Sequence, residues 1–389
     1  MREGVVTKDD LEAFRRRFSE WLERNSPDWW PRTIESIHRR IYDDIIPQMR
    51  AWQRRLYEEG WLGYGVPERY GGKGGSRLLE FVIHEELAKR SAAPVLNRIG
   101  LVTALPILLS HGTDAQRERY VPPILRADEI WCQGFSEPSA GSDLAVLACR
   151  GEIKGDSLII SGQKVWSSLA HIADYCLLLC RTGKVEDRHR SITCVILPMK
   201  SEGVRVSPIK QITGETEFNQ IFLSEVRVPL ENVIGELNQG WNIAMMTLNH
   251  ERLLMCMEML AKASAAFNRF RGMIEEVGES DKTYWKARAV DLLIDLEKSK
   301  ALLESMMNLA QRGEVGPETT IMKLSATNAI QRTYLTINEY LGGGATSDAD
   351  GCDISWFRGM LWSRGRAIAG GTSEVLRNII SERILEMPR

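Results

Sequence analysis

The sequence predicts a multidomain α+β protein in which a helical zone, a zone of short strands and a second helical zone follow one another. The chain has 389 residues, which is too long for one compact domain. Helical spacing of the apolar residues gives way to short apolar runs near residue 131 and returns after Gly240. We therefore expect an N-terminal helical domain at residues 1–127, a middle strand-rich domain at 128–236 and a C-terminal helical domain at 237–389.

The N-terminal zone, from about residue 8 to residue 127, has the pattern of helices joined by short loops. The segment 81–88 contains a single β-branched pair, Val82-Ile83, within an otherwise helix-compatible run. Gly and Pro mark loops at residues 65–67 and 70–72. This part of the chain is therefore predicted to be all-helical.

The middle zone, from about residue 131 to residue 235, consists of short apolar runs divided by Gly, Ser, Asp or Pro. That spacing is typical of strands and hairpins. The runs are Leu158-Ile159-Ile160, Tyr175 to Leu179, Ile192 to Leu197, Val204-Arg205-Val206 and Ile221-Phe222-Leu223.

The C-terminal zone contains three long helical patterns, at residues 241–271, 283–311 and about 318–341. The third stops at Gly342-Gly343-Gly344, and glycine readily adopts the left-handed conformation that ends many helices. The sequence therefore predicts three long helices after the strands.

Charge and cysteine content exclude several classes of protein. Lys plus Arg number 50 against 52 Asp plus Glu, so the chain lacks the positive excess of a protein that binds nucleic acid without regard to sequence. The N-terminus lacks the apolar stretch of a signal peptide, and the apolar runs are too short to span a bilayer, so we expect a cytoplasmic protein. Seven cysteines without a CxxC pair indicate reduced structural thiols and no zinc site.

Motifs of three enzyme classes fail at one position each. Gly72-Lys73 is followed by Gly74, which excludes a P-loop, and His84-Glu85 is followed by Ala88 where a metalloprotease needs His. The segment that begins at Gly134 resembles the nucleophile elbow of a serine hydrolase but ends in Pro138 instead of Gly. No Gly-x-Gly-x-x-Gly segment opens a helix after a strand, so a dinucleotide fold of that type is not indicated.

Three loops rich in small and hydroxyl residues could bind a polar ligand, and each also has an ordinary structural interpretation. Residues 135–143 follow a predicted strand and are rich in small and hydroxyl residues. Either their backbone N–H groups and hydroxyls bind a polar ligand, or they form an ordinary loop at the end of a strand. Trp166-Ser167-Ser168 could stack beside a planar ring, or Trp166 is a half-buried core residue. Residues 370–374 head a predicted helix and offer N–H groups to an anion, or Thr372 or Ser373 is a plain N-cap.

Together these segments resemble the acyl-CoA dehydrogenase family over nearly the whole chain, in order and at compatible spacing. The matching motifs are Pro67 to Gly72, Gly112-Thr113-Asp114 through Leu125, Ser136 to Asp143, Gly162 to Ser168 with Ala173-Asp174, Val226 to Pro229 with Ile234-Gly235 and Gly240, Gly342-Gly343, and Gly371-Thr372-Ser373.

The resemblance implies an N-terminal all-α domain, a middle β-barrel and a C-terminal four-helix bundle, with FAD between barrel and bundle. The positions implied to contact FAD are Phe135, Ser136, Ser142, Trp166, Ser168, Gly342, Gly343, Gly371, Thr372 and Ser373. Those implied to contact the acyl thioester are Ser142, Asn249, Arg252 and Gly370.

The reaction that the resemblance implies is the removal of two hydrogens from adjacent carbons of an acyl thioester. A carboxylate takes the α-proton while flavin N5 accepts a hydride from the β-carbon, and fixed donors polarise the thioester carbonyl. Reduced flavin then passes its electrons to an electron-transfer flavoprotein. The acyl chain, and its attachment to CoA or to a carrier protein, stay open.

The catalytic base is expected to be Glu251. The family's commonest base stands directly before Gly-Thr-Ser, where this chain has Gly370. A subgroup of the family carries the Glu on the first long helix of the bundle, directly before an Arg, and this chain has Glu251-Arg252 there. Apolar residues share that side of the helix with Glu251, and a carboxylate among them is costly to bury unless it is paired or functional. The alternative is a structural Glu–Arg network.

A second departure from the family's pattern concerns residues 263–282. Many members have an Arg-x-x-Phe-Gly-x-Pro segment there that reaches the FAD of a neighbouring subunit, but this chain has Arg269-Phe270-Arg271-Gly272. Bacterial members that act on sterol-like side chains also lack it and assemble from two kinds of subunit. We therefore expect a homo- or hetero-tetramer. The alternatives are a flavin oxidase or monooxygenase on the same scaffold, and a catalytically silent subunit of a hetero-oligomer.

Overall fold

Helices form the first and last parts of the chain and strands form the middle part, in the order that the sequence predicts. A computed structural model describes residues 6–30, 41–90, 92–276, 278–311, 316–346 and 355–388. Within those ranges, no helix is long and apolar enough to cross a membrane.

Five helices make up most of the N-terminal part. They are α1 (Lys8–Asn25), α2 (Ile41–Glu58), α3 (Leu78–Lys89), α4 (Leu105–His111) and α5 (Asp114–Arg126). Both α1 and α5 begin with a capping box, in which Thr7 and Asp10, and likewise Thr113 and Gln116, exchange side-chain and backbone hydrogen bonds.

The middle part is a single eight-stranded sheet. Its strands are β1 (Trp131–Gly134), β2 (Arg150–Lys154), β3 (Ser157–Ser168), β4 (Tyr175–Arg181), β5 (Ile192–Pro198), β6 (Val204–Pro208), β7 (Phe218–Pro229) and β8 (Val233–Ile234). The strand order is β6-β7-β3-β2-β4-β5-β8, and β1 pairs in parallel with β4. Every apolar run that was predicted to be a strand lies in one.

Cysteine thiols contribute to the interior of this sheet. Burial raises the pKa of the Cys149 thiol to about 11, so the thiol stays protonated at neutral pH. The described cysteines are all buried and form no disulfide among themselves: Cys132, Cys149, Cys176, Cys180, Cys194 and Cys256. Cys352 lies outside the described residues.

Three long helices followed by two shorter ones form the C-terminal part. They are α6 (Gly240–Ile274), α7 (Glu279–Gln311), α8 (Thr319–Leu341), α9 (Ser355–Arg366) and α10 (Ser373–Ile379). The rings of Phe270, Trp285 and Tyr340 join α6, α7 and α8 edge to face, with centroids 5.2–6.2 Å apart. Gly342 follows the last residue of α8 and has a φ of +55°, a conformation that glycine adopts readily, which fits the predicted glycine stop.

By packing, the chain forms two compact units. The bundle unit comprises Met1–Arg39, Ser76–Pro94 and Glu251–Arg389, and the sheet unit comprises Arg40–Gly75 and Val95–His250. The domain boundaries expected from composition, at residues 127 and 236, stay a prediction.

Candidate active site

Helix α6 carries Glu251 and Arg252 at the start of its portion in the bundle unit. Arg252 is only 9% exposed, and the five residues that follow it are all buried. Glu251 is half-buried, and its Oε2 atom is hidden from solvent. The predicted base therefore lies in a largely apolar turn, where a carboxylate is costly to bury unless it is paired or functional. The side chain of Asn249, a predicted ligand contact, lies outside the described residues.

Two buried cations hold two consecutive carbonyls of the loop between α9 and α10. Nε of Arg252 donates a hydrogen bond to the carbonyl oxygen of Gly370 at 3.0 Å. Nζ of Lys323, on α8, donates to the carbonyl oxygen of Gly371 at 2.7 Å. Bonds from charged donors are among the stronger hydrogen bonds in proteins, so this loop is fixed to α6 and to α8 at adjacent residues.

Gly370 has a conformation and a setting that disfavour a side chain. Its φ is +70°, a region that residues with a Cβ rarely adopt. A Cβ added there would lie 2.8 Å from Cε of Met255 and 3.8 Å from Cγ of Arg252. A glutamate at the family's commoner base position would therefore be strained here and would need Met255 to move.

Gly370 also presents its backbone N–H. In this loop the N–H of Ala369 donates to Gly365 and that of Gly371 donates to Ile368. Among the described residues, the N–H of Gly370 donates to no carbonyl. This residue without a side chain lies next to the α6 turn that contains Met255, and its contact with a ligand stays a prediction. Glu251 lies one helical turn before Met255 on the same face.

Burial lowers the pKa of both cations in this site. Burial lowers the pKa of Arg252, whereas the negative charge of Glu251 acts to raise it. The pKa of Lys323 is lowered to about 8, mainly by burial, and the positive charges of Arg252 and Arg366 contribute to this lowering. At neutral pH Arg252 stays charged, while Lys323 titrates just above neutrality.

The Gly-Thr-Ser segment begins the short helix α10. Oγ1 of Thr372 accepts a hydrogen bond from the N–H of Val375 at 3.3 Å, which makes Thr372 an N-cap. The capping interpretation of this segment is therefore confirmed. Cofactor contacts by Gly371, Thr372 and Ser373 stay a prediction.

In the sheet unit, a buried ion pair anchors the loop that follows β1. Nζ of Lys164 lies 2.7 Å from Oε1 of Glu137, and these side chains are 0% and 5% exposed. Glu137 also accepts hydrogen bonds from the N–H groups of Ala148 and Cys149, at 2.6 and 2.9 Å. Lys164 also donates to the carbonyl of Phe135 at 3.1 Å. The loop beginning at Phe135 is thereby fixed against β3.

Ser136, predicted to contact the cofactor, is joined directly to the bulge of β3. Its carbonyl accepts a hydrogen bond from the N–H of Val165 at 2.9 Å. The next residue, Trp166, lies where the β3–β7 register shifts, between Lys164 and Ser167. The structure therefore brings together the Phe135-Ser136 and Trp166-Ser168 parts of the predicted site.

Trp166 is exposed and has an unfavourable backbone conformation. Its φ is +63° and it is 58% exposed, with its ring edge-to-face against Phe218 at 6.0 Å. The alternative that Trp166 is a half-buried core residue is therefore wrong, because the bulge turns the indole out of the sheet. Left-handed backbone at a bulky residue is costly, and such residues cluster at functional sites. Ser168, at the end of β3, is half-buried.

Three predicted positions show no contact that assigns them a role. Ser142 is exposed in the turn after Glu137. Gly342 and Gly343 are exposed at the end of α8, and a Cβ added to either would meet nothing within 4 Å. Their cofactor and substrate contacts stay predictions.

Sequence reasoning missed Lys323, and a signal for it was present. Helix α8 buries the residues Met322, Ala326, Thr327 and Ile330, and Lys323 lies on this face at helical spacing. A lysine within a stripe of apolar and small residues is rarely fully buried without a partner. The Glu137–Lys164 pair was present in the quoted motifs, but its pairing requires the sheet register.

Three family models match successive parts of the chain. They are described as acyl-CoA dehydrogenase N-terminal domain at residues 8–128, middle domain at 132–226 and C-terminal domain at 238–385. The chain is 32% identical over 386 residues to a Mycobacterium tuberculosis protein named acyl-CoA dehydrogenase IpdE1, and the match covers 98% of each chain.

Solved structures give the same result. A structure titled Tcur3481-Tcur3483 steroid ACAD matches with a TM-score of 0.87 and 27% identity, over 99% of this chain and 100% of that one. The crystal structure of the ChsE4-ChsE5 complex from Mycobacterium tuberculosis matches with a TM-score of 0.82 and 26% identity, over 100% of this chain and 100% of the matched chain.

Proposed function

The chain belongs to the acyl-CoA dehydrogenase family, and from this premise we propose that it uses FAD to remove two hydrogens from the α and β carbons of an acyl thioester. The predicted family and fold class are confirmed. The cofactor, the residue roles, the partners and the substrate are proposals.

The observation that carries the proposal is the arrangement of Glu251, Arg252 and Gly370. Glu251 lies half-buried on α6, and the adjacent Arg252 bonds to the loop residue at which the family's commoner base would stand. That residue is Gly370, which has no carboxylate. Glu251, on the helix that bonds to this loop through Arg252, is therefore the base that we propose for the α-proton.

In the proposed reaction, Gly370 contributes its backbone N–H as a hydrogen-bond donor to the thioester carbonyl. Its N–H donates to no carbonyl of the described residues, and the bond from Arg252 holds the carbonyl of the same residue. A fixed N–H aimed at a thioester oxygen stabilises the negative charge that develops there as the α-proton leaves. The base and the polarising donor are therefore supplied by α6 and by the loop before α10.

The sheet unit has features that fit a flavin. Trp166 presents an exposed ring in a strained conformation, and Ser168, two residues on, is half-buried at the end of β3. An exposed aromatic ring beside a hydroxyl side chain suits a planar heterocycle. When bound, FAD would supply the acceptor for the hydride. The chain would position it with Trp166 and with the Phe135-Ser136 loop.

Replacement of Trp166 by Ala should weaken FAD binding about three- to tenfold, because a stacked aromatic contact contributes roughly that much. The purified protein should be yellow and release FAD on denaturation. The measurement is titration of the flavin-free protein with FAD, followed by flavin fluorescence. The control is Ile212→Ala, which removes another exposed apolar side chain of the sheet unit. Equal FAD affinity in both variants and the unmodified protein would contradict the placement of Trp166.

Turnover should require an electron acceptor other than oxygen. A closed, dry site protects reduced flavin while product is bound, so activity should depend on an electron-transfer flavoprotein or an artificial acceptor. The measurement is the rate of product formation in air, with and without acceptor, beside the peroxide formed. Peroxide in equal amount to product, with full activity in air, would make the protein an oxidase instead.

The titles of similar proteins support a finer proposal for substrate and assembly. Two matched structures are titled as a steroid ACAD and as a complex of two named chains. We therefore propose a CoA thioester on a bulky polycyclic acyl group as substrate, and a tetramer that includes a second, related chain. The substrate is tested by comparing turnover of CoA thioesters of steroid side chains with turnover of linear acyl-CoA thioesters. The assembly is tested by native mass spectrometry after co-expression of this chain with the related chain.

A further inference from the structure

Helix α8 carries a lysine in an unusual position. Lys323 is 0% exposed, and among the described residues no carboxylate forms an ion pair with it. Its ammonium group donates to the carbonyl of Gly371 at 2.7 Å and reaches the carbonyl of Ala367 at 3.4 Å. A buried cation without a counter-ion is costly, so an apolar residue here would serve packing better.

Both acceptors of Lys323 belong to the connection from α9 to the Gly-Thr-Ser segment. Ala367 directly follows the last residue of α9, where helix carbonyls lack partners and a positive charge is favourable. Gly371 follows Gly370, whose carbonyl is bonded by Arg252. Lys323 therefore ties the end of α9 and the loop to α8, while Arg252 ties the same loop to α6.

We propose that Lys323 is a positioning residue for the proposed reaction: by holding the carbonyls of Ala367 and Gly371, one on each side of Gly370, it fixes the loop that presents the N–H of Gly370 to the thioester. This inference rests on the proposed function. Lys323 acts through the loop and does not touch the substrate. Without it, the loop loses both bonds from α8, and the conformation of Gly370, at φ +70°, is one that glycine leaves easily.

The charge of Lys323 should change within the working pH range. Its pKa is lowered to about 8, mainly by burial, with a contribution from the facing cations Arg252 on α6 and Arg366 on α9, and the thiol of Cys256 on α6 also faces it. Burial raises the pKa of Cys256 to about 12, so that thiol stays neutral across this range. Above about pH 8 the amine is neutral and its bond to the carbonyl weakens.

If Lys323 is a positioning residue, stability and turnover should follow opposite trends with pH. The pKa of Lys323 is lower in the folded chain than its ordinary value near 10.5, so between about pH 8 and that value the unfolded chain binds more protons. Folding stability contributed by this group therefore rises with pH in that window. A positioning role requires turnover to fall over the same window.

The test compares Lys323→Met and Lys323→Arg in the FAD-loaded protein, with Lys298→Met on α7 as a control that removes an exposed lysine. In Lys323→Met, the amide hydrogens of residues 367–373 should exchange with solvent about tenfold faster than in the unmodified protein. The kcat of this variant at pH 7 should be lower by about tenfold or more, with little change in KM. This variant should also lose the fall of kcat near pH 8. Lys323→Arg keeps a charged donor and should recover part of the slow exchange.

Unchanged exchange in Lys323→Met, or a pH profile of kcat equal to that of the unmodified protein, would overturn the proposal. If Lys323→Met does not fold, the unmodified protein still decides: stability that rises above pH 8 without any fall of kcat overturns it. If Lys323→Met shows faster exchange in the loop but the unmodified protein acts on no acyl-CoA, Lys323 does anchor the loop and the proposed function is wrong.

Discussion

Replacing Glu251 by Gln is expected to lower turnover of the acyl thioester by about a hundredfold to ten-thousandfold, the usual contribution of a general base. The amide keeps the size of the side chain and removes the group that accepts the α-proton. FAD content and melting temperature should change little, because an amide is easier to bury than a carboxylate. Steady-state kinetics with an artificial acceptor measure the effect.

Glu258→Gln is the matched control for this variant. Glu258 lies on the same helix, half-buried, in an ion pair with Lys262 at 2.9 Å. Its neutralisation should change turnover by no more than about twofold, because it removes one partly exposed pair. If Glu251→Gln instead loses folding or flavin while each folded site works nearly normally, Glu251 is structural. Near-normal turnover in soundly folded Glu251→Gln would exclude it as the base.

Replacing Lys164 by Met is expected to destabilise the sheet unit by about 3–5 kcal/mol, because it leaves the carboxylate of Glu137 buried without its cation. The loop that begins at Phe135 also loses one hydrogen bond. FAD content should fall together with stability. Urea unfolding, followed through the fluorescence of the tryptophans, measures the change.

Two further variants show whether the isolated charge is the cause. Lys200→Met removes a lysine that is 88% exposed and pairs with Asp174, so it should cost at most about 1 kcal/mol. Adding Glu137→Gln to Lys164→Met removes the uncompensated charge and should recover part of the loss. A loss in Lys164→Met no larger than that in Lys200→Met would contradict the anchoring role of the pair.

The order of elements could be predicted from the sequence because each zone has its own periodicity. The three C-terminal helical patterns correspond to α6, α7 and α8, and the glycine run marks the end of α8 at Gly342. The β-zone was equally visible, because its apolar runs are short and are separated by turn residues. These are local signals, and local signals determine where helices and strands begin and end.

The arrangement of the site could be predicted only in part. Glu251 and Gly370 were singled out because a family motif marks both positions, and the structure shows Arg252 bonded to Gly370. Lys323 lies about 50 residues along the chain from the loop that it holds, so only the packing of α8 against that loop reveals its bonds. The outward turn of Trp166 depends on a bulge between β3 and β7, which no local pattern shows.

The most direct test of the proposed reaction is anaerobic mixing of the FAD-loaded protein with a panel of acyl-CoA thioesters. The flavin absorbance should bleach with at least one member of the panel, and the product recovered should be lighter by two hydrogens, with a double bond between its α and β carbons. The same mixing with Glu251→Gln should bleach at least about a hundredfold more slowly. A fully loaded protein, alone and with its related second chain, whose flavin stays oxidised with every thioester would contradict the account.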